Sequence, residues 1–158
     1  MPQENKHTKS FAIVFWILTT MCMGAIFYFS SRPATQSAGQ SSVVTLFLQK
    51  LFHTEAITEH MVRKAAHFTE FTGLGFLTNS AVYFTKHKRN LAIGIAIGSA
   101  YAATDEIHQI FVDGRSCQFT DWALDTLGVV TGALIFLILY LIIRKIIEHK
   151  NDKRFKEI

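Results

Sequence analysis

The sequence predicts an all-α membrane protein: four transmembrane helices forming one bundle, with a short interfacial amphipathic helix between spans one and two. Three observations predict it. Apolar runs of about 20 residues alternate with short charged segments, and that length carries a helix across a hydrocarbon core of about 30 Å. The chain has only 158 residues, too few for a soluble core that could hide several such runs. Its Lys and Arg residues flank the runs instead of gathering in one patch, the habit of membrane-flanking charge.

The length fits one domain, residues 1–158, by the usual domain size. The net charge of +4 would suit a nucleic-acid partner only if it formed a patch, so no nucleic acid is expected. The partners expected are membrane lipids.

The first span runs from about residue 10 to 29, behind Lys6 and Lys9. Its apolar core exceeds that of a signal peptide and no A-x-A site follows, so it reads as a retained anchor. Phe27, Tyr28 and Phe29 sit where an interfacial aromatic belt belongs. Cys22 lies deep in this span and Cys117 in a polar loop, which argues against a disulfide between them. Met21 before Cys22 is too bulky for a lipoprotein acylation site. Trp16, and later Tyr101, read as lipid-facing or packing residues.

Residues 30–42 are polar, rich in Ser, Gln and Ala, and contain Pro33. Val43, Val44, Leu46, Phe47, Leu51 and Phe52 follow at roughly helical spacing, interrupted by Lys50. This run is too short to span and reads as an amphipathic helix lying in the interface.

The second span runs from about 65 to 85 and ends in Lys86-His87-Lys88-Arg89. The third, about 91 to 112, opens on small apolar residues with Gly94 and Gly98 at GxxxG spacing, which favours close helix contact. The fourth runs from about 122 to 143, and a charged tail, 144–158, follows. With both termini in the cytoplasm, eleven of the 16 Lys and Arg residues fall inside and five outside. The positive-inside rule favours that orientation.

Ionisable groups within a span are costly, roughly 2.5–3.5 kcal/mol each at its centre, yet here they share one depth. His67 and Glu70 lie in the outer turns of span two, Asp105, Glu106 and Gln109 in those of span three, and Asp121 and Asp125 in those of span four. Asp105, His108 and Gln109 share a face by spacing. Asp121, Asp125, Gly128 and Gly132 form a stripe that turns Asp125 towards the bundle interior. Arg32, Arg63, Lys64 and Arg115 stand near the same level and supply partners for carboxylates.

Three blocks of these residues carry a family resemblance. They are Arg63-Lys64-Ala65-Ala66-His67-Phe68-Thr69-Glu70-Phe71, Asp105-Glu106-Ile107-His108-Gln109-Ile110-Phe111-Val112-Asp113-Gly114-Arg115, and Asp121-Trp122-Ala123-Leu124-Asp125-Thr126-Leu127-Gly128 on to Gly132. With the Phe29-Ser30-Ser31-Arg32-Pro33 turn, they resemble the VanZ family. Asp113 departs from the pattern, in which proline is expected. The resemblance implies a four-span protein of the bacterial plasma membrane. It also implies a connection to glycopeptide resistance, since the founding member lowers susceptibility to teicoplanin.

The candidate catalytic residues are His67, Glu70, Asp105, Glu106, Gln109, Arg115, Asp121 and Asp125; the candidate ligand-binding residues are Arg32, Arg63, Lys64 and His108. Three readings follow. The cluster binds or acts on an envelope, lipid-linked or lipoglycopeptide molecule, a cell-wall precursor among them, with carboxylates and His67 for acid–base work and Arg for an anionic group. It is the site of a metal-dependent enzyme; ligand types for a divalent metal are present, but no HExxH or equivalent spacing is, so no cofactor is predicted. Or it is non-catalytic, a resistance protein acting at the membrane surface or a salt-bridge network that only packs helices. Asp121 has its own plain alternative as the N-cap of span four.

Overall fold

A computed structural model describes residues 6–156. The first five residues and the last two, which the expected domain and its charged tail include, lie outside them. Five helices follow in chain order: α1 (Lys6–Ser30), α2 (Ala34–Phe52), α3 (Glu59–Lys86), α4 (Leu91–Gln109) and α5 (Phe119–Lys156). There is no strand among the described residues.

Local chemistry sets the boundaries. The Thr58 side chain accepts a hydrogen bond from the Met61 N–H at 3.3 Å, so α3 starts six residues before the expected span. Glu59 in its first turn suits the helix dipole. α3 ends at His87, which adopts a left-handed φ of 53°. Three residues on, Asn90 caps α4 by accepting from the Ile93 N–H at 3.4 Å. α4 ends at Gln109 and not at 112, because the chain turns over Ile110–Arg115 with Gly114 at φ 74°. α5 runs through the charged tail to Lys156 as one helix. The polar stretch after Pro33 is also helical, so α2 begins nine residues before the apolar spacing that foretold it. Ala and Gln are good helix formers, and a proline is well tolerated at a helix start.

α3 is the central element. Phe11 and Phe15 near the start of α1 stack on Phe84 near the end of α3, with centroids 5.4 and 5.3 Å apart, so these helices are antiparallel. Trp16 donates to Thr85 at 3.0 Å across the same seam. α3 and α5 are parallel and close. A Cβ on Gly75 would overlap the Val129 backbone, and one on Gly132 the backbone of Thr72 and Phe76. α4 closes the bundle: Gly94 abuts Asn79 and Gly98 abuts Val129, so the expected GxxxG contact forms. Tyr101 packs inward and donates to the Met23 carbonyl at 2.6 Å.

Beside an apolar core of Ile26, Phe71, Leu74, Ala102 and Val129, many polar residues are buried and many large apolar ones exposed. Thr19, Thr78, Asn79, Ser80, Asp105, Glu106 and Asp125 are buried, whereas Ile13, Ile17, Met21, Leu134, Ile138 and Ile142 are exposed. The buried hydroxyls and amide in α3 are satisfied by backbone. Thr78 donates to Leu74 and Gly94 carbonyls at 3.0 and 3.2 Å, and Asn79 to the Gly75 carbonyl at 2.8 Å. Two helices, over Thr8–Ser30 and Phe119–Lys153, are long and apolar enough to cross a membrane. α3 and α4 fall short of that apolarity because each carries polar residues that it turns into the bundle. α2 packs beside α3 and leaves Val43, Leu46, Phe47, Leu51 and Phe52 exposed.

Candidate functional site

One end of the bundle, where α1 and α4 finish and α3 and α5 begin, gathers the ionisable residues. Asp105, on the last turns of α4, is 3% exposed. Its Oδ2 accepts from Ser30 Oγ at 2.9 Å and from Gln109 Nε2 at 3.1 Å. Gln109 also donates to Ser30 Oγ at 3.1 Å, so α1 and α4 hold one carboxylate oxygen between them. Asp105 Oδ1 is buried without a hydrogen-bond partner. Asp125, two turns into α5, is 1% exposed, and neither of its oxygens has a partner. His67 on α3 buries an unpartnered Nδ1. One ligand atom from each of His67, Asp105 and Asp125 lies within 4.8 Å of the others.

His67 and Asp125 line a cavity of about 180 Å³ with Arg63, Lys64, Glu106, Gln109, Arg115 and Asp121, and with Ser116 and Gln118 from the α4–α5 loop; Asp105 is not among its lining residues. Three cations stand around it. Lys64 pairs with Asp121 at 2.9 Å, so Asp121 is a member of the first turn of α5 bound to α3 and not the cap of that helix. Arg115 Nε donates to the Arg32 carbonyl at 3.0 Å, which ties the α4–α5 loop to the end of α1. Burial pulls the Arg115 guanidinium below its ordinary value, and the like charge of Arg63 acts in the same direction. An arginine stays protonated in spite of such pulls, so a half-buried cation remains at the mouth. Glu106 accepts from the Gln118 N–H at 2.8 Å.

The structure does not bring every expected residue to the cavity. Arg32 donates to Tyr28 Oη and stacks over that ring. His108 packs on Phe27 with centroids 4.4 Å apart and shares a hydrogen bond with Ser31 at 3.1 Å. Glu70 lines a neighbouring groove with Phe29, Ser37 and Val44, and Arg63 and Arg115 border both spaces. Sequence pattern does not single out Ser30 or Gln118. Ser30 is the last residue of α1 but falls just past the expected span, in the polar stretch; the contribution of Gln118 is a backbone N–H, to which side-chain type is blind.

The arrangement offers two kinds of chemistry. Guanidinium and ammonium groups at the mouth suit an anion, for which arginine supplies forked donors. Deeper, unpartnered carboxylate oxygens and an imidazole nitrogen can accept protons or hold a cation.

A family model described as VanZ/LLP1 matches residues 15–140. No curated protein and no solved structure matches the chain.

Proposed function

The chain belongs to the VanZ/LLP1 family, and from that premise we propose a four-span protein of the bacterial plasma membrane with both termini cytoplasmic. Its polar cavity opens on the outer face and binds, or acts on, an anionic group of an envelope lipid, a lipid-linked cell-wall precursor or a lipoglycopeptide such as teicoplanin. The packing supports four spans. α3 lies against both α1 and α5, so if those two cross the bilayer, α3 shares their slab. α4 has 19 residues, about 28 Å at 1.5 Å per residue, close to the hydrocarbon thickness. The exposed apolar faces of α1, α2 and α5 suit lipid contact, with α2 in the interface.

The observation that carries the binding reading is the cavity with three cations at its mouth and acids behind them. Its volume suits a phosphate or carboxylate group; whole drug-like ligands occupy about 300–1,000 Å³. A lipid-tailed molecule would lodge its anionic group there and leave its tail in the bilayer. A network built for packing alone would satisfy its acids, because buried polar groups are otherwise costly; Asp125 has both oxygens unpartnered.

The test is teicoplanin susceptibility of a sensitive Gram-positive host expressing the chain, beside Asp105→Asn and Arg115→Ala forms at equal membrane level. Reduced susceptibility that disappears in both variants is expected. Full activity in both variants would refute the site. No change with the native chain would remove teicoplanin and leave the lipid-linked ligands.

A further inference from the structure

We propose that His67, Asp105 and Asp125 together bind one divalent cation of the Zn²⁺ or Mn²⁺ class. The position adjoins the cavity described above, which His67 and Asp125 line, so access from outside depends on the proposed function, although the coordination chemistry does not. α3, α4 and α5 each contribute one residue, and their ligand atoms come within 4.8 Å of one another. The same three residues carry unsatisfied atoms: Asp105 Oδ1, both oxygens of Asp125 and His67 Nδ1 are all buried without hydrogen-bond partners. Asp125 is 1% exposed, so its side chain is withdrawn from bulk solvent. Buried carboxylates held close together repel unless something positive joins them.

Of the three cations around the cavity, Lys64 and Arg115 already have partners, and none of the three bonds to Asp125 or to Asp105 Oδ1. Lys64 pairs with Asp121, and Arg115 directs its Nε and one terminal nitrogen to the carbonyls of Arg32 and Phe29. A dication would neutralise two carboxylates in one step. One imidazole and two carboxylates form a mixed nitrogen–oxygen set that suits Zn²⁺ or Mn²⁺ better than a soft cation. With metal–ligand bonds of about 2.1 Å, tetrahedral ligand atoms stand about 3.4 Å apart, so the side chains draw in by roughly an ångström on binding. The outer support is already present: Ser30 and Gln109 hold the second oxygen of Asp105, and such partners fix a ligand's orientation. Three protein ligands leave a coordination position for a water or an anionic ligand, as open metal sites do.

The full chain, purified in detergent without chelator and with a histidine-free tag, is assayed for metal by mass spectrometry, then stripped and titrated with ZnCl₂ or MnCl₂. The expected result is saturable binding of about one cation per chain. Asp125→Asn and His67→Gln should each weaken it by at least about ten-fold, by analogy with the loss on disturbing a metal's surroundings, and Glu148→Gln, far along α5, should bind as the native chain does. Absence of saturable binding of either cation by the native chain overturns the proposal, as does undiminished binding in both variants. If a variant elutes as aggregate, the native titration decides. Binding needs no phenotype, so a chain that takes up the cation without altering susceptibility refutes the teicoplanin reading and leaves the metal site standing.

Discussion

Ser30 and Asp105 are 75 positions apart in the chain, yet Ser30 Oγ donates to Asp105 Oδ2 at 2.9 Å with both side chains buried. This bond joins the end of α1 to the end of α4, where direct packing between those helices is sparse. Ser30→Ala would leave a buried carboxylate oxygen with Gln109 as its remaining donor. Loss of one partner from a buried polar pair costs about 1–3 kcal/mol. Thermal unfolding in detergent should fall accordingly. Thr20→Ala is the control: its exposed hydroxyl donates to the Trp16 carbonyl within α1, and a change within about 0.5 kcal/mol is expected there. Equal losses in the two variants would deny the bridge its role.

The parallel contact of α3 with α5 depends on glycine. A Cβ at Gly132 meets backbone of Thr72 and Phe76, which no rotamer change can relieve. Gly132→Val should therefore cost at least the roughly 1–3 kcal/mol of an overpacked core and shift the protein to aggregate in size-exclusion chromatography. Gly73 has nothing within 4 Å of its added Cβ. Gly73→Ala should gain about 0.5–1 kcal/mol from helix propensity. A tolerated Gly132→Val would mean the two helices stand farther apart than described.

Gly128 and Gly132 were legible because they continue the Asp121–Asp125 stripe, and the inward turn of Asp125 followed. Gly75 has no such pattern around it, so its contact with Val129 was not. The helices α1, α3, α4 and α5 were legible from apolar runs and their charged ends. The helical start of α2 was hidden by its polar composition, which periodicity reads as loop. Shared depth on three helices was legible for the acids and His67 as a group; that His67, Asp105 and Asp125 are the ones that meet was not. Depth and spacing do not say which neighbour stands opposite. His108 is one turn from Asp105, yet it meets Phe27 of α1, and Arg32 finds Tyr28 one turn back in its own chain.

Lys64 and Arg115 should separate binding from stability. The Lys64–Asp121 pair has side chains 34% and 29% exposed, and such partly solvated pairs are worth roughly 0–1 kcal/mol. Lys64→Ala should hardly move the unfolding temperature. Arg115→Lys keeps the charge but loses the Nε–H to the Arg32 carbonyl and the forked geometry. It should lower the susceptibility effect by the equivalent of a charged hydrogen bond, about 1.5–3 kcal/mol or ten-fold and more, in a folded protein. Native activity in the Arg115→Lys variant would reduce Arg115 to a point charge.

Orientation can be tested on a cysteine already present. Cys117 is a free, exposed thiol in the loop between α4 and α5, whereas Cys22 is half-buried within α1. With both termini cytoplasmic, that loop and the cavity beside it face outwards. A membrane-impermeant maleimide added to intact cells should then label the native chain, and Cys117→Ser should remove the signal. In the Cys117→Ser background, Lys88→Cys places a thiol in the α3–α4 turn at the opposite end of the bundle, to be labelled only after permeabilisation. The reverse pattern would turn the carboxylate end to the cytoplasm, where no extracellular glycopeptide could reach it. Labelling of both positions in intact cells would mean that α3 and α4 do not cross with α1 and α5, and the four-span reading would fall with them.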